Sequence, residues 1–253
     1  MNIIEITPKD MAALDPTHIK DRVQMGDVFI VKKMMPREHV MAVRSHAIRL
    51  ARNPVGWSAV DDEIENGHRI VDENPQSYVM QKCQRSSFYL WRADSAEIAE
   101  IFGPAYRLKA RLGGLDDFGH LYSKPSSGNY SLVGVNHYPR GGGYLNAHLD
   151  PPEIVFSVHT IFNGSERGVD WSTGGLHLVG LGETAKTHVE DYWEIGDMLC
   201  FDAGRMPHGV DPVDRDQGLD WSLDHGRFSF SPATVTRAVG SKPVGSLEVP
   251  AGS

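Results

Sequence analysis

The spacing of apolar residues gives the chain two textures. In the first third, Val40, Val43, Ala47 and Ala51 recur at helical spacing, which predicts a helix over 37–51 with one buried stripe; Pro36 suits its first turn. The run DVFIV over 27–31 reads as a strand. Residues 53–93 are polar and irregular, with Asn53-Pro54, Gly56, Gly67 and Asn74-Pro75 as breakers. Ser95 is placed to cap a helix over 96–102. Gly103-Pro104 is expected to end it and to open a second helix to about Leu112.

After Gly113-Gly114 the pattern changes. Short β-rich runs follow at 131–138, 153–162, 175–180, 186–194, 197–202, 207–213 and 226–236, with Gly, Pro, Asn and Asp between them. Many short strands separated by turn signals predict a sandwich or barrel. No internal repeat is present. The stretch from Gly240, GSKPVGSLEVPAGS, is expected to be a flexible tail over 240–253. The expected fold is therefore mostly β with helices. Residues 1–239 are expected to form one domain, in which a helical part, 1–115, supports a double-stranded β-helix of jelly-roll or cupin type over 116–239.

Composition narrows the class. Apolar content of 40% and charged content of 23% suit a globular chain, and a net charge of -8 leaves no electrostatic footprint for nucleic acid or an anionic membrane. The expected partner is a small molecule, with no nucleic acid and no membrane; the sequence carries no signature of oligomeric state. Cys83 and Cys200 have neither metal-ligand nor redox spacing, which fits a reducing cytoplasm. The segment MNIIEITPKDM lacks the apolar run of a signal peptide, and no stretch approaches 18 apolar residues.

The candidate chemistry centres on His148-Leu149-Asp150. On a strand, residues i and i+2 point to one face, so imidazole and carboxylate project together while Leu149 turns to the opposite layer. A third ligand from a distant strand would complete a 2-His-1-carboxylate set, which leaves open positions and suits Fe(II). His208, in MPHGV, is the best candidate. Two neutral imidazoles and one carboxylate leave one net positive charge on a divalent ion, so the site can still take an anionic oxo-acid and dioxygen. An isolated HxD is common by chance, and its histidine is more often a surface or core residue. The neighbouring residues therefore decide.

Those neighbours resemble the Fe(II)/2-oxoglutarate-dependent dioxygenase superfamily, and most closely its prolyl-hydroxylase-like branch. The stretch from Tyr138 to Pro151, YPRGGGYLNAHLDP, is similar to that branch's YPxGG…HxD segment. A strand ending at Asn163, then Gly174-Gly175-Leu176, then GDMLCF over 196–201, resemble the motifs that follow. His208-Gly209-Val210 with Pro212-Val213 resembles the distal HxVxPV, and Arg227-Phe228-Ser229 the RxS that anchors the co-substrate. The likeness covers about residues 130–236, with a weaker echo at 27–51. It implies iron on His148, Asp150 and His208, with 2-oxoglutarate and O2 as co-substrates. It also implies hydroxylation of an unactivated C–H bond with release of succinate and CO2. Asp150 matters for that outcome, because halogenating relatives carry a small residue in its place.

One departure from the branch is the long interval between His208 and Arg227, filled by QGLDWSLDHG, which makes Arg215 a rival anchor. Arg227 is preferred because Arg227, Ser229 and Ser231 alternate with Phe228 and Phe230, giving a strand one polar and one apolar face. A two-pronged guanidinium could then grip the distal carboxylate, helped by Ser229. Tyr138 matches a strand tyrosine that can hydrogen-bond the co-substrate, or is a core tyrosine; Asn136 shares its face. Tyr144 and Asn146 either line the substrate mouth or are loop residues. His177, His188 and His225 are read as surface or core histidines. His137 and His159 fall where the alternation is unclear. The segment 84–93, with Arg85 and Arg92 among aromatics, either extends the sheet or helps close over substrate. A small metabolite such as an amino acid or natural-product intermediate is the expected substrate. A prolyl or peptidyl target, or a cupin-type metal-dependent isomerase or lyase, is the alternative.

Overall fold

A computed structural model of the protein describes residues 1–52, 65–75, 77–114, 129–150 and 158–236. The expected tail from Gly240 and the 153–157 portion of one expected strand lie outside the described residues. Among the described residues twelve strands belong to one hydrogen-bonded system, and four α-helices accompany them. The N-terminal part contributes β1 (Ile3–Ile6), α1 (Pro8–Ala13), α2 (Pro16–Gln24), β2 (Val28–Val31) and α3 (Arg37–Arg52). Then come β3 (Gly67–Asp72), β4 (Gln81–Tyr89) and α4 (Ala96–Leu112). The β-rich part contributes β5 (Asn129–Tyr138), β6 (Gly143–His148), β7 (His159–Asn163), β8 (Gly175–Val179) and β9 (Lys186–His188). It closes with β10 (Met198–Phe201), β11 (His208–Val213) and β12 (Arg227–Thr236).

The strands run in the order β1-β2-β10-β7-β12-β5-β4-β6-β11-β8-β9, with β3 on β4. Among the described residues only β1 on β2 is a parallel ladder; the others are antiparallel. β4 pairs with β5 along 84–89 and with β6 at Gln81 and Lys82, so it carries the sheet over from one layer to the other. Between the layers lies an apolar interior in which Val28, Ile30 and Leu199 share a cluster with Leu176, Leu178 and Val210. The opposite face of the larger layer packs on helices through Phe88, Val133, Val135, Phe162, Phe228 and Phe230. This is the jelly-roll arrangement on helical support.

α3 buries Val40, Val43 and Ala47 as its spacing predicts, and Arg44 with them, while Ala51 at the end of the expected stripe is half-buried. The Arg44 guanidinium meets Asp170 through both terminal nitrogens and lies 4.5 Å from the centroid of Phe228. α4 departs from expectation, because it runs unbroken through Pro104. A helical proline costs about 3 kcal/mol, but this helix is fastened along its length. Phe102 meets Phe162 edge-on at 5.4 Å, Tyr106 Oη donates to the Leu132 carbonyl at 2.7 Å, and Lys109 Nζ donates to the Pro232 carbonyl at 2.5 Å.

The region expected to be irregular holds β3 and β4. Its alternation is hidden because both faces carry polar residues. On one, His68 bonds Ser86 and Gln84; on the other, Arg69 stands opposite Arg85. The expected run over 186–194 is strand only to His188, after which Val189–Asp191 form a 3-10 turn.

Candidate metal centre

β6 and β11 pair so that His208 is the register partner of His148. Each histidine is oriented by a backbone carbonyl two residues back. His148 Nδ1 lies 3.0 Å from the Asn146 oxygen, and His208 Nδ1 lies 3.2 Å from the Met206 oxygen. A carbonyl only accepts, so each Nδ1 carries the proton and each Nε2 keeps its lone pair for a metal. Both Nε2 atoms face one oxygen, Asp150 Oδ1, at 3.5 Å from His148 and 3.9 Å from His208. One ligand atom from each of the three residues lies within 4.8 Å of the others. A 2-His-1-carboxylate face of this kind suits Fe(II).

The route to that geometry differs in one detail from the i, i+2 argument. β6 ends at His148, and Leu149 does not enter a layer: it is 42% exposed. Backbone bonds beyond the strand hold Asp150 in place. Its N–H donates to the Ala203 carbonyl at 2.9 Å, and Tyr78 Oη donates to the Leu149 carbonyl. Burial works against ionisation of Asp150. The nearby rings of His148, His159 and His208 outweigh it and hold the carboxyl well below the usual carboxylate range. Burial, then the neighbouring His148, pushes His208 down to about 3, so its imidazole stays neutral and able to ligate.

His159, left open by the sequence, belongs to this centre. It sits at the start of β7 with Nδ1 3.6 Å from Asp150 Oδ2, the oxygen turned away from the other two histidines. Burial lowers its pKa to about 4. His137, equally open, faces the helices: its Nε2 donates to the His225 carbonyl at 2.6 Å and its ring packs on Phe228.

Arg227 opens β12 opposite Tyr138 and is 1% exposed. Its Nε donates to Glu190 Oε1 at 2.7 Å, and its Nη2 is buried without a hydrogen-bond partner. That orphaned N–H is the kind of group a ligand carboxylate satisfies. Arg227 lies 5.8 Å from the ring centroids of Tyr138 and Trp193. Burial raises the Tyr138 phenol above its usual range, while Arg227, Arg85 and a hydrogen bond with Ser229 pull the other way. Ser229 is buried beside them. Arg215, the rival anchor, is exposed in the turn after β11. Glu190 carried no sequence signal, because it reaches Arg227 from the 3-10 turn. There its two oxygens also accept from Leu176 N at 2.8 Å and Trp193 Nε1 at 2.7 Å. Tyr144 and Asn146 lie on β6, the latter lending its carbonyl to His148.

The donor set therefore fits a divalent iron, and the unsatisfied Nη2 of Arg227 fits a ligand carboxylate. Among the described residues no helix is long and apolar enough to cross a membrane. No protein-family profile matches the sequence, and no curated protein does. Solved structures do share the fold. A Pseudomonas putida prolyl-4-hydroxylase aligns at TM-score 0.55 and 14% identity, over 88% of this chain and 100% of that one. A Trichoplax adhaerens prolyl hydroxylase, solved with a peptide of the hypoxia-inducible-factor oxygen degradation domain, aligns at 0.57 and 14%, over 92% and 96%. The non-heme α-ketoglutarate-dependent epimerase SnoN of nogalamycin biosynthesis aligns at 0.54 and 14%, over 92% and 87%.

Proposed function

We propose that this chain is an Fe(II)- and 2-oxoglutarate-dependent oxygenase that hydroxylates an unactivated C–H bond of a small metabolite. The observation that carries the reading is the convergence of both Nε2 atoms on one Asp150 oxygen. His148, Asp150 and His208 would hold the iron, and Arg227 with Ser229 and Tyr138 would receive the co-substrate's distal carboxylate. When bound, iron with 2-oxoglutarate and O2 supplies the oxidising power for C–H cleavage, with succinate and CO2 as co-products.

The protein's own part is positional. The carbonyls of Asn146 and Met206 fix the ring orientations, and His159 stands against the outer oxygen of Asp150. The ionised Asp150 leaves one net positive charge on a divalent ion, compatible with an anionic oxo-acid. Phe201 packs edge-on against His159 and His208, and Ile161 and Leu199 lie on the same face, so apolar surface beside the centre would exclude water. A small metabolite is favoured by the acidic composition, which offers polyanions no attraction. Hydroxylation of a peptidyl proline is the second reading, on the likeness to two prolyl hydroxylases. Residues 1–239 are read as one catalytic domain.

The test is succinate production by purified protein given Fe(II), 2-oxoglutarate and O2, with free amino acids or proline-containing peptides as candidate substrates. Turnover should require all three, and one substrate class should raise it above the uncoupled rate. Asp150→Ala should abolish it. Conversion of a substrate without the keto acid would sink this reading in favour of a cupin-type isomerase or lyase.

A further inference from the structure

The anchor expected to grip a dianion is already neutralised. Arg227 gives its Nε to Glu190, both side chains are almost fully buried, and Glu190 is held in place by Leu176 N and Trp193 Nε1. The pair offers a carboxylate one vacant N–H and almost no net charge. An N–H without charge is a weak grip on a carboxylate that must leave water.

A second guanidinium lies across the same floor. β5 carries Tyr138, with β12 on one side and β4 on the other. On β4, Cys83 belongs to the interior cluster with Tyr138, and Arg85, two residues on, shares its face. Arg85 is the register partner of Asn136, which is itself the partner of Ser229. One row across the interior thus reads Arg85, Asn136, Ser229, next to the row of Tyr138 and Arg227. The Tyr138 phenol feels both guanidinium groups. Arg85 is half-buried and has no carboxylate partner among the described residues.

We propose that Arg85 supplies the positive charge that holds the distal carboxylate of the co-substrate, while Arg227, tied to Glu190, supplies direction. This rests on the 2-oxoglutarate reading above. A divalent ion against Asp150 carries one net positive charge and the Arg227–Glu190 pair adds none. Arg85, with Arg69 opposite it on β3, makes this end of the row positive, as the second carboxylate of 2-oxoglutarate requires.

The experiment measures dissociation constants by calorimetry on the full chain loaded with Mn(II), with 2-oxoglutarate and with pyruvate, which keeps the oxo-acid end and lacks the distal carboxylate. Wild type should prefer 2-oxoglutarate. Arg85→Gln should weaken 2-oxoglutarate about ten-fold or more, the worth of one charged hydrogen bond, and leave pyruvate within about two-fold. Arg85→Lys should keep most of the preference. Adding Glu190→Gln to Arg85→Gln should restore much of it by freeing the charge of Arg227. Arg85→Met serves if the glutamine variant fails to melt cooperatively. A preference unchanged in the Arg85→Gln protein overturns the proposal. Wild type that binds neither acid, or both equally, overturns the co-substrate reading itself, whatever Arg85 does.

Discussion

His148 and His208 are direct register partners across the β6–β11 ladder, with ring centroids 4.3 Å apart. Each ring is fixed through Nδ1, so a metal meets two lone pairs that need little reorientation. His208→Ala should therefore lower Mn(II) affinity by more than the roughly 10–100-fold typical of residues that merely orient a ligand. His159→Leu, which removes only the group behind Asp150, should fall within that range. Calorimetric Mn(II) titration of both variants checks the order; equal losses would contradict it.

The Arg227–Glu190 pair makes a separate prediction about stability. Breaking a buried ion pair by removing one partner costs roughly 3–5 kcal/mol, because the other charge is left uncompensated. Arg227→Gln should lose about that much in urea unfolding. Arg227→Gln with Glu190→Gln should recover most of the stability and yet not the 2-oxoglutarate affinity. Recovery of both would mean Arg227 is a structural residue only.

Gly174 explains one glycine of the GGL stretch in physical terms. Its φ is +91°, and a Cβ there would lie 2.2 Å from the Pro212 carbonyl oxygen on β11. Gly174→Ala must shift backbone as well as adopt a disfavoured φ, so it should destabilise by more than roughly 1 kcal/mol, where alanine at a compatible glycine position stabilises. Chemical denaturation measures it, and the β8–β11 ladder next to His208 should loosen with it.

His137 predicts a pH dependence away from the metal centre. Burial lowers its pKa from 6.5 to about 4, a backbone bond to His225 working against that shift. Between those values the unfolded chain binds more protons than the folded one. Stability conferred by the neutral ring is present above 6.5 and is lost as pH falls toward 4, at up to roughly 1.4 kcal/mol per pH unit. His137→Gln should flatten this slope relative to wild type in urea titrations at pH 4.5, 5.5 and 6.5. A parallel pair of curves would rule out the assignment.

What the sequence determined by itself was set by local chemistry and short repeats. Strand alternation fixed the inward faces of β12, helical spacing fixed the buried stripe of α3, and the HxD with the distal histidine named the three residues that converge. That Arg227 turns inward follows the alternation with Phe228 and Phe230, which is visible over five residues. Only the tertiary structure decided the rest. Whether Pro104 breaks a helix depended on whether Phe102, Tyr106 and Lys109 found partners on the sheet. β3 and β4 were hidden because polar residues cover both their faces. His159 behind Asp150, Glu190 on Arg227, and Arg85 across from Tyr138 come from separate strands and a turn. No spacing along the chain encodes such meetings, because pairing register and the packing of two layers set them, and those are properties of the whole sheet.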